Sequence, residues 1–147
     1  VGKLNPDALK KGALVALDTV TLIYFLERHP VHYPTVRQLF RQIETGRVSA
    51  VMASLVFAEL LVPAYRGGEV ETVERLVRTL SNFPHLKIIP LTIEIAADAA
   101  RLCARYGIRT PDAIHAATAL TGGAEGIITN DQGLVRLEPE LKIWLLE

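Results

Sequence analysis

The chain has 147 residues, half of them hydrophobic and 22% charged, which suits one folded domain with one core and excludes a disordered tether. Sixteen Lys and Arg balance sixteen Asp and Glu, so bulk positive charge cannot drive it onto nucleic acid, although a local basic groove is still allowed. A lone cysteine, Cys103, excludes an intrachain disulfide, and no apolar run reaches membrane-spanning length without a charge.

Eleven of the cations are Arg and five are Lys. The planar guanidinium fork suits a phosphate-bearing partner, but the same bias arises equally as a compositional habit. The opening stretch VGKLNPDALKKG lacks a signal-peptide core and reads as a tail.

In chain order, the apolar run 13–17 predicts a buried strand that ends at Asp18. A helix over 21–27 stops near Pro30, and a second over 34–44 is closed by Gly46. Residues 48–53 predict a strand. Ser54 then reads as an N-cap for a helix over 55–66 that ends at Gly67 and Gly68. A helix over about 70–80 precedes a strand at 86–90. Thr92 caps a helix running to Tyr106, closed by Gly107, which carries Cys103 as a buried, inert thiol. Thr110 and Pro111 open a further helix that ends at Gly122 and Gly123. Strands follow at 126–129 and 141–146. Short apolar strands alternating with helices predict an α/β fold, a mostly parallel sheet with helices on both faces.

Such sheets bind ligands at the carboxyl ends of their strands. Three of the five aspartates fall there: Asp18 and Asp131 after strands, and Asp112 at a helix start. Glu59, five residues past Ser54, lies near the same edge. Any one of these acids alone reads most simply as a helix cap. Four at one edge repel one another, and a hard divalent cation relieves that repulsion. Ligands that are all oxygen suit magnesium or manganese rather than zinc. Pro63, four residues after Glu59, cannot donate to the Glu59 carbonyl and crowds it, which predicts a kink there.

The segments LDTVTLIYFLE (17–27), SLVFAELL (54–61), TPDAIHAATAL (110–120) and IITNDQGL (127–134) together resemble the PIN-domain family, and within it the VapC-type toxin endoribonucleases. The resemblance implies a three-layer α/β sandwich and magnesium- or manganese-dependent cleavage of RNA. The acidic quartet it implies falls on Asp18, Glu59, Asp112 and Asp131. The accompanying polar positions fall on Thr19, Ser54 and Asn130. Val20 departs from the pattern, since many members carry Asn or Ser there, which puts a secondary contact in doubt. The resemblance further implies a cognate antitoxin that covers the acidic groove, and a homodimer. Apolar residues at 23–25 and 55–61 suit either contact or ordinary core.

On this reading Asp18, Asp112 and Asp131 hold the metal, while Glu59 ligates a second metal or orients the attacking water. Arg109 steers phosphate to the site. Arg101 and Arg105 read equally as a solvated helix face, His115 as a packed helix histidine, and Tyr24 and Trp144 as core or dimer contacts. A cytoplasmic setting is expected. Two rivals compete with this reading. One is a phosphate-transfer or receiver-type domain, although the segment 18–21 lacks a second Asp. The other is a non-catalytic binding module, which an intact quartet disfavours.

Overall fold

The side chains of the central strands alternate strictly, and the alternation sets the architecture. Val15 and Leu17 join one apolar cluster while Ala16 joins another, and Ala50 and Met52 part from Val51 in the same way. A strand with apolar residues on both faces must be covered on both. The computed structural model, which describes residues 2–147, shows that arrangement.

Six strands form one sheet in the order β1-β6-β5-β2-β3-β4, every neighbouring pair parallel among the described residues. They are β1 (Gly2–Lys3), β2 (Leu14–Leu17), β3 (Ser49–Ala53), β4 (Leu86–Ile89), β5 (Gly126–Thr129) and β6 (Lys142–Leu145). The helices are α1 (Thr19–Leu26), α2 (Tyr33–Glu44), α3 (Leu55–Leu60), α4 (Val62–Arg66), α5 (Val70–Ser81), α6 (Ile93–Tyr106) and α7 (Thr110–Thr121).

Leu22 of α1, Leu39, Phe40 and Ile43 of α2, and Leu80 of α5 pack on one face with Val15 and Met52. On the other face lie Ile95, Ala99 and Leu102 of α6 and Ala113, Ala116 and Ala117 of α7. The alanines let α7 lie close against the sheet. Truncating a fully buried leucine such as Leu22 or Leu102 to alanine costs about 2–5 kcal/mol. No helix among the described residues is long and apolar enough to cross a membrane.

Most expected elements appear within a residue or two, and α6 begins with Thr92 accepting the Ile95 N–H at 3.1 Å. Gly107 ends α6 at φ 66°, a left-handed conformation that favours glycine. Three expectations need correction. The N-terminal stretch is no tail: β1 pairs with β6, and Asp7 accepts amide hydrogens from Gln38 at 2.6 Å and Gln42 at 3.2 Å. The helix expected over 55–66 is two helices that break at Leu61, because Pro63 withholds an N–H from the Glu59 carbonyl. Ser54 does not cap α3. Its hydroxyl accepts the Leu91 N–H at 3.1 Å instead.

The chain leaves β2 toward β3 and β4, then returns to place β5 on the other side of β2. The strand order therefore reverses between β2 and β5, and such reversals open a crevice at the carboxyl ends of the strands.

Candidate active site

A crevice of about 250 Å³ lies at that edge. Asp18, Glu59, Asp112 and Asp131 line it, together with Thr19, Val20, Tyr24, Arg109, His115 and Asn130. The fold thus brings together every acid singled out from the sequence. Ser54 is not among the lining residues.

Asp18 ends β2 and caps α1, where Oδ1 accepts the Val20 N–H at 3.2 Å. The register Leu17↔Ile128 sets it beside Thr129, whose hydroxyl donates to Oδ2. Burial pushes the Asp18 carboxyl up to about 6, against the opposing effects of the Thr129 hydrogen bond and of His115. Thr129 is fully buried, and its oxygen also accepts the Asp131 N–H at 3.0 Å. Asp131 Oδ1 in turn accepts the Gly133 N–H at 2.8 Å and caps a 3-10 turn over Gln132–Leu137. One hydroxyl therefore bridges two of the acids. Sequence reading missed Thr129 in this role. Its signal was a lone hydroxyl at the end of an otherwise apolar strand.

Asp112 sits in the first turn of α7, where burial and then the neighbouring Asp131 raise its pKa against the pull of Arg109. Arg109 Nε lies 3.1 Å from Asp112 Oδ2, and the guanidinium side chain is 78% exposed. Glu59 Oε1 accepts the Thr19 hydroxyl at 2.7 Å and lies 2.6 Å from His115 Nε2. His115 is thus packed in the helix as expected, but against Glu59 rather than against apolar side chains alone.

The other candidates separate. Arg101 is held by Asp98 at 2.8 Å and by both oxygens of Glu140, at 2.8 and 3.0 Å. Arg105 lies over the Tyr106 ring, 5.5 Å from its centroid. Cys103 is half-buried, not fully buried as expected, with Sγ 4.0 Å from the Thr110 hydroxyl. Trp144 packs on the sheet core with Lys142 over its ring. Tyr24 faces the crevice. Its hydroxyl accepts the Asn130 amide at 3.2 Å, and its ring stacks on His32 at 5.0 Å.

Among the described residues no three His, Cys, Asp or Glu side chains form a ready-made ligand cluster. The donor set nevertheless fits a hydrated hard cation. Magnesium keeps several of its waters and uses one or two carboxylates, which demands less convergence than an all-protein cage. Burial raises the pKa of both Asp18 and Asp112, with Asp131 adding to it at Asp112, and a bound cation would favour their ionised forms.

A family model described as PIN domain matches residues 15–138. No curated protein sequence matches the chain. Among solved structures, a chain of VapBC2 from Rickettsia felis, bound to a DNA fragment from its promoter, superposes with a TM-score of 0.68 at 19% identity. That match covers 90% of this chain and 98% of the other. VapBC-1 from nontypeable Haemophilus influenzae gives 0.65 at 22% identity, covering 90% and 98%. Mycobacterium tuberculosis VapC20, a toxin that cleaves the sarcin-ricin loop, gives 0.59 at 17% identity, covering 77% and 86%. At these identities the likeness is one of fold.

Proposed function

Since the chain belongs to the PIN domain family, we propose that it is a metal-dependent endoribonuclease and the toxin of a toxin–antitoxin pair. The observation that carries the reading is the meeting of Asp18, Glu59, Asp112 and Asp131, drawn from four separate parts of the chain, around one crevice. Structural or capping roles do not require four acids to share a cavity.

In this mechanism Asp18, Asp112 and Asp131 hold magnesium or manganese directly or through water. The bound cation supplies positive charge to the phosphate and acidifies water. Glu59, its carboxylate tethered by Thr19, orients the attacking water and takes its proton. The water oxygen bonds to phosphorus in line with the departing ribose oxygen, whose bond to phosphorus breaks, and no covalent enzyme intermediate forms. Arg109 holds a phosphate oxygen. Its terminal nitrogens make no hydrogen bond among the described residues, and a guanidinium fork suits that ligand. Asn130 lies beside Asp131 at the crevice and contacts the substrate there.

The similarity to VapBC assemblies supports an antitoxin partner; an antitoxin segment over the crevice and a homodimeric toxin are what the resemblance implies. The test is cleavage of a mixed RNA pool by purified protein, with and without magnesium, with the cut sites mapped. Magnesium-dependent cuts that vanish in Asp18→Asn are the expected result. Equal cleavage by that variant sinks the proposal.

A further inference from the structure

Glu59 is poorly fixed by its own helix. It is the fifth residue of six in α3, and the chain breaks at Leu61 just beyond it. Its side chain is 38% exposed, so backbone and packing alone leave the carboxylate free to swing. Two other elements restrain it. Thr19, next to Asp18, donates its hydroxyl to Oε1 at 2.7 Å. His115, three residues after Asp112 on α7 and only 5% exposed, brings Nε2 to the same oxygen at 2.6 Å and to the Thr19 hydroxyl at 3.3 Å.

A carboxylate oxygen that already accepts a hydroxyl hydrogen has only acceptor capacity to offer, so Nε2 carries the imidazole hydrogen. His115 Nδ1 is buried and has no partner among the described residues, so no second contact turns the ring elsewhere. Glu59 Oε2 makes no hydrogen bond among the described residues, whereas Oε1 is engaged twice.

We propose that His115 is a positioning residue for Glu59: with Thr19 it pins Oε1, and so leaves Oε2 as the oxygen offered to the crevice. The inference deepens the nuclease reading and rests on it. An imidazole buried with one orphaned nitrogen is a costly way to fill a helix interface. The cost is understandable if the ring holds a group that must not move.

The test combines kinetics with a spectroscopic readout. His115→Leu is expected to lower kcat roughly 10–100-fold while KM stays within about twofold, and His115→Gln, whose amide reproduces Nε2–H, restores most of the rate. The double variant Glu59→Ala/His115→Leu is expected to be no slower than Glu59→Ala, because both changes remove one unit. In metal-free protein labelled with 15N-histidine, the His115 hydrogen is expected on Nε2, protected from exchange, with the protection lost in Glu59→Ala. The inference is overturned by a hydrogen on Nδ1, by full activity in His115→Leu, or by losses that add in the double variant. If His115→Leu does not fold, His115→Gln decides: a folded but slow protein counts against the inference, and a fast one supports it. A wild-type chain that cuts no RNA with magnesium overturns the nuclease reading and this inference together. A wild-type chain that cuts, beside a His115→Leu that cuts equally well, overturns this inference alone.

Discussion

Thr129 gives its hydroxyl hydrogen to the Asp18 carboxylate across 111 residues of sequence. Because its oxygen also accepts the Asp131 N–H, the pair links the two strand ends that flank the reversal of strand order. Thr129→Val keeps the shape and removes both hydrogen bonds. The Asp131 N–H and the Asp18 carboxylate then lose a partner in a buried setting, which costs about 1–3 kcal/mol. Thermal unfolding should show the loss, and cleavage should fall with it.

Asp18 itself makes stability depend on pH. Folding raises its pKa from 3.8 to about 6, so the folded state favours the protonated form. That stabilisation is complete below pH 3.8 and is lost as the pH rises through about 6. In chelator at pH 7.5, Asp18→Asn should therefore melt no lower than the wild type, with a gain of at most ~3 kcal/mol. Magnesium should raise the melting temperature of the wild type at that pH and leave the variant unchanged. A variant that magnesium stabilises as strongly as the wild type contradicts a cation held by Asp18.

Pro63 separates the aim of Glu59 from the stability of its helix. Pro63→Ala returns an N–H to the Glu59 carbonyl and lets α3 and α4 join. The melting temperature should hold or rise. RNA cleavage should nevertheless fall, because a continuous helix turns Glu59 away from Thr19 and His115. Unchanged cleavage in a more stable Pro63→Ala shows that the break has no part in the chemistry.

Glu140, which does not line the crevice, offers a control. Arg101 and Tyr106 hold its carboxyl down at about 2, against an ordinary 4.5. A depressed carboxylate stabilises above pH 4.5, and that contribution drains away as the pH falls through 2. Glu140→Gln should melt slightly below the wild type at pH 7, only slightly because the cluster is solvated. The two should converge near pH 2, and RNA cleavage at neutral pH should not change.

Much of this was legible along the chain because the signals are local. Period-two apolar strands, Thr92 as a cap, Gly107 as a stop and Pro63 as a breaker act within a few residues of themselves. The positions of Asp18, Asp112 and Asp131 at strand or helix ends were readable for the same reason. The N-terminal strand was not, because two residues carry no periodicity and β1 exists only by pairing with β6. Ser54 misled because a serine before a helix looks like a cap, and the Leu91 N–H that claims its hydroxyl lies 37 residues away.

The sequence by itself determined the alternation of strands and helices, the burial of the sheet on both faces, and which acids stand at the edge that carries the crevice. Tertiary structure alone decided how those acids are held. Thr129 bridges Asp18 to Asp131, and His115 and Thr19 meet on Glu59. Apart from the local bond between Asp131 and Thr129, those hydrogen bonds join residues 40 to 111 positions apart. Their partners are set by strand order and helix packing, and neither is a property of any one segment.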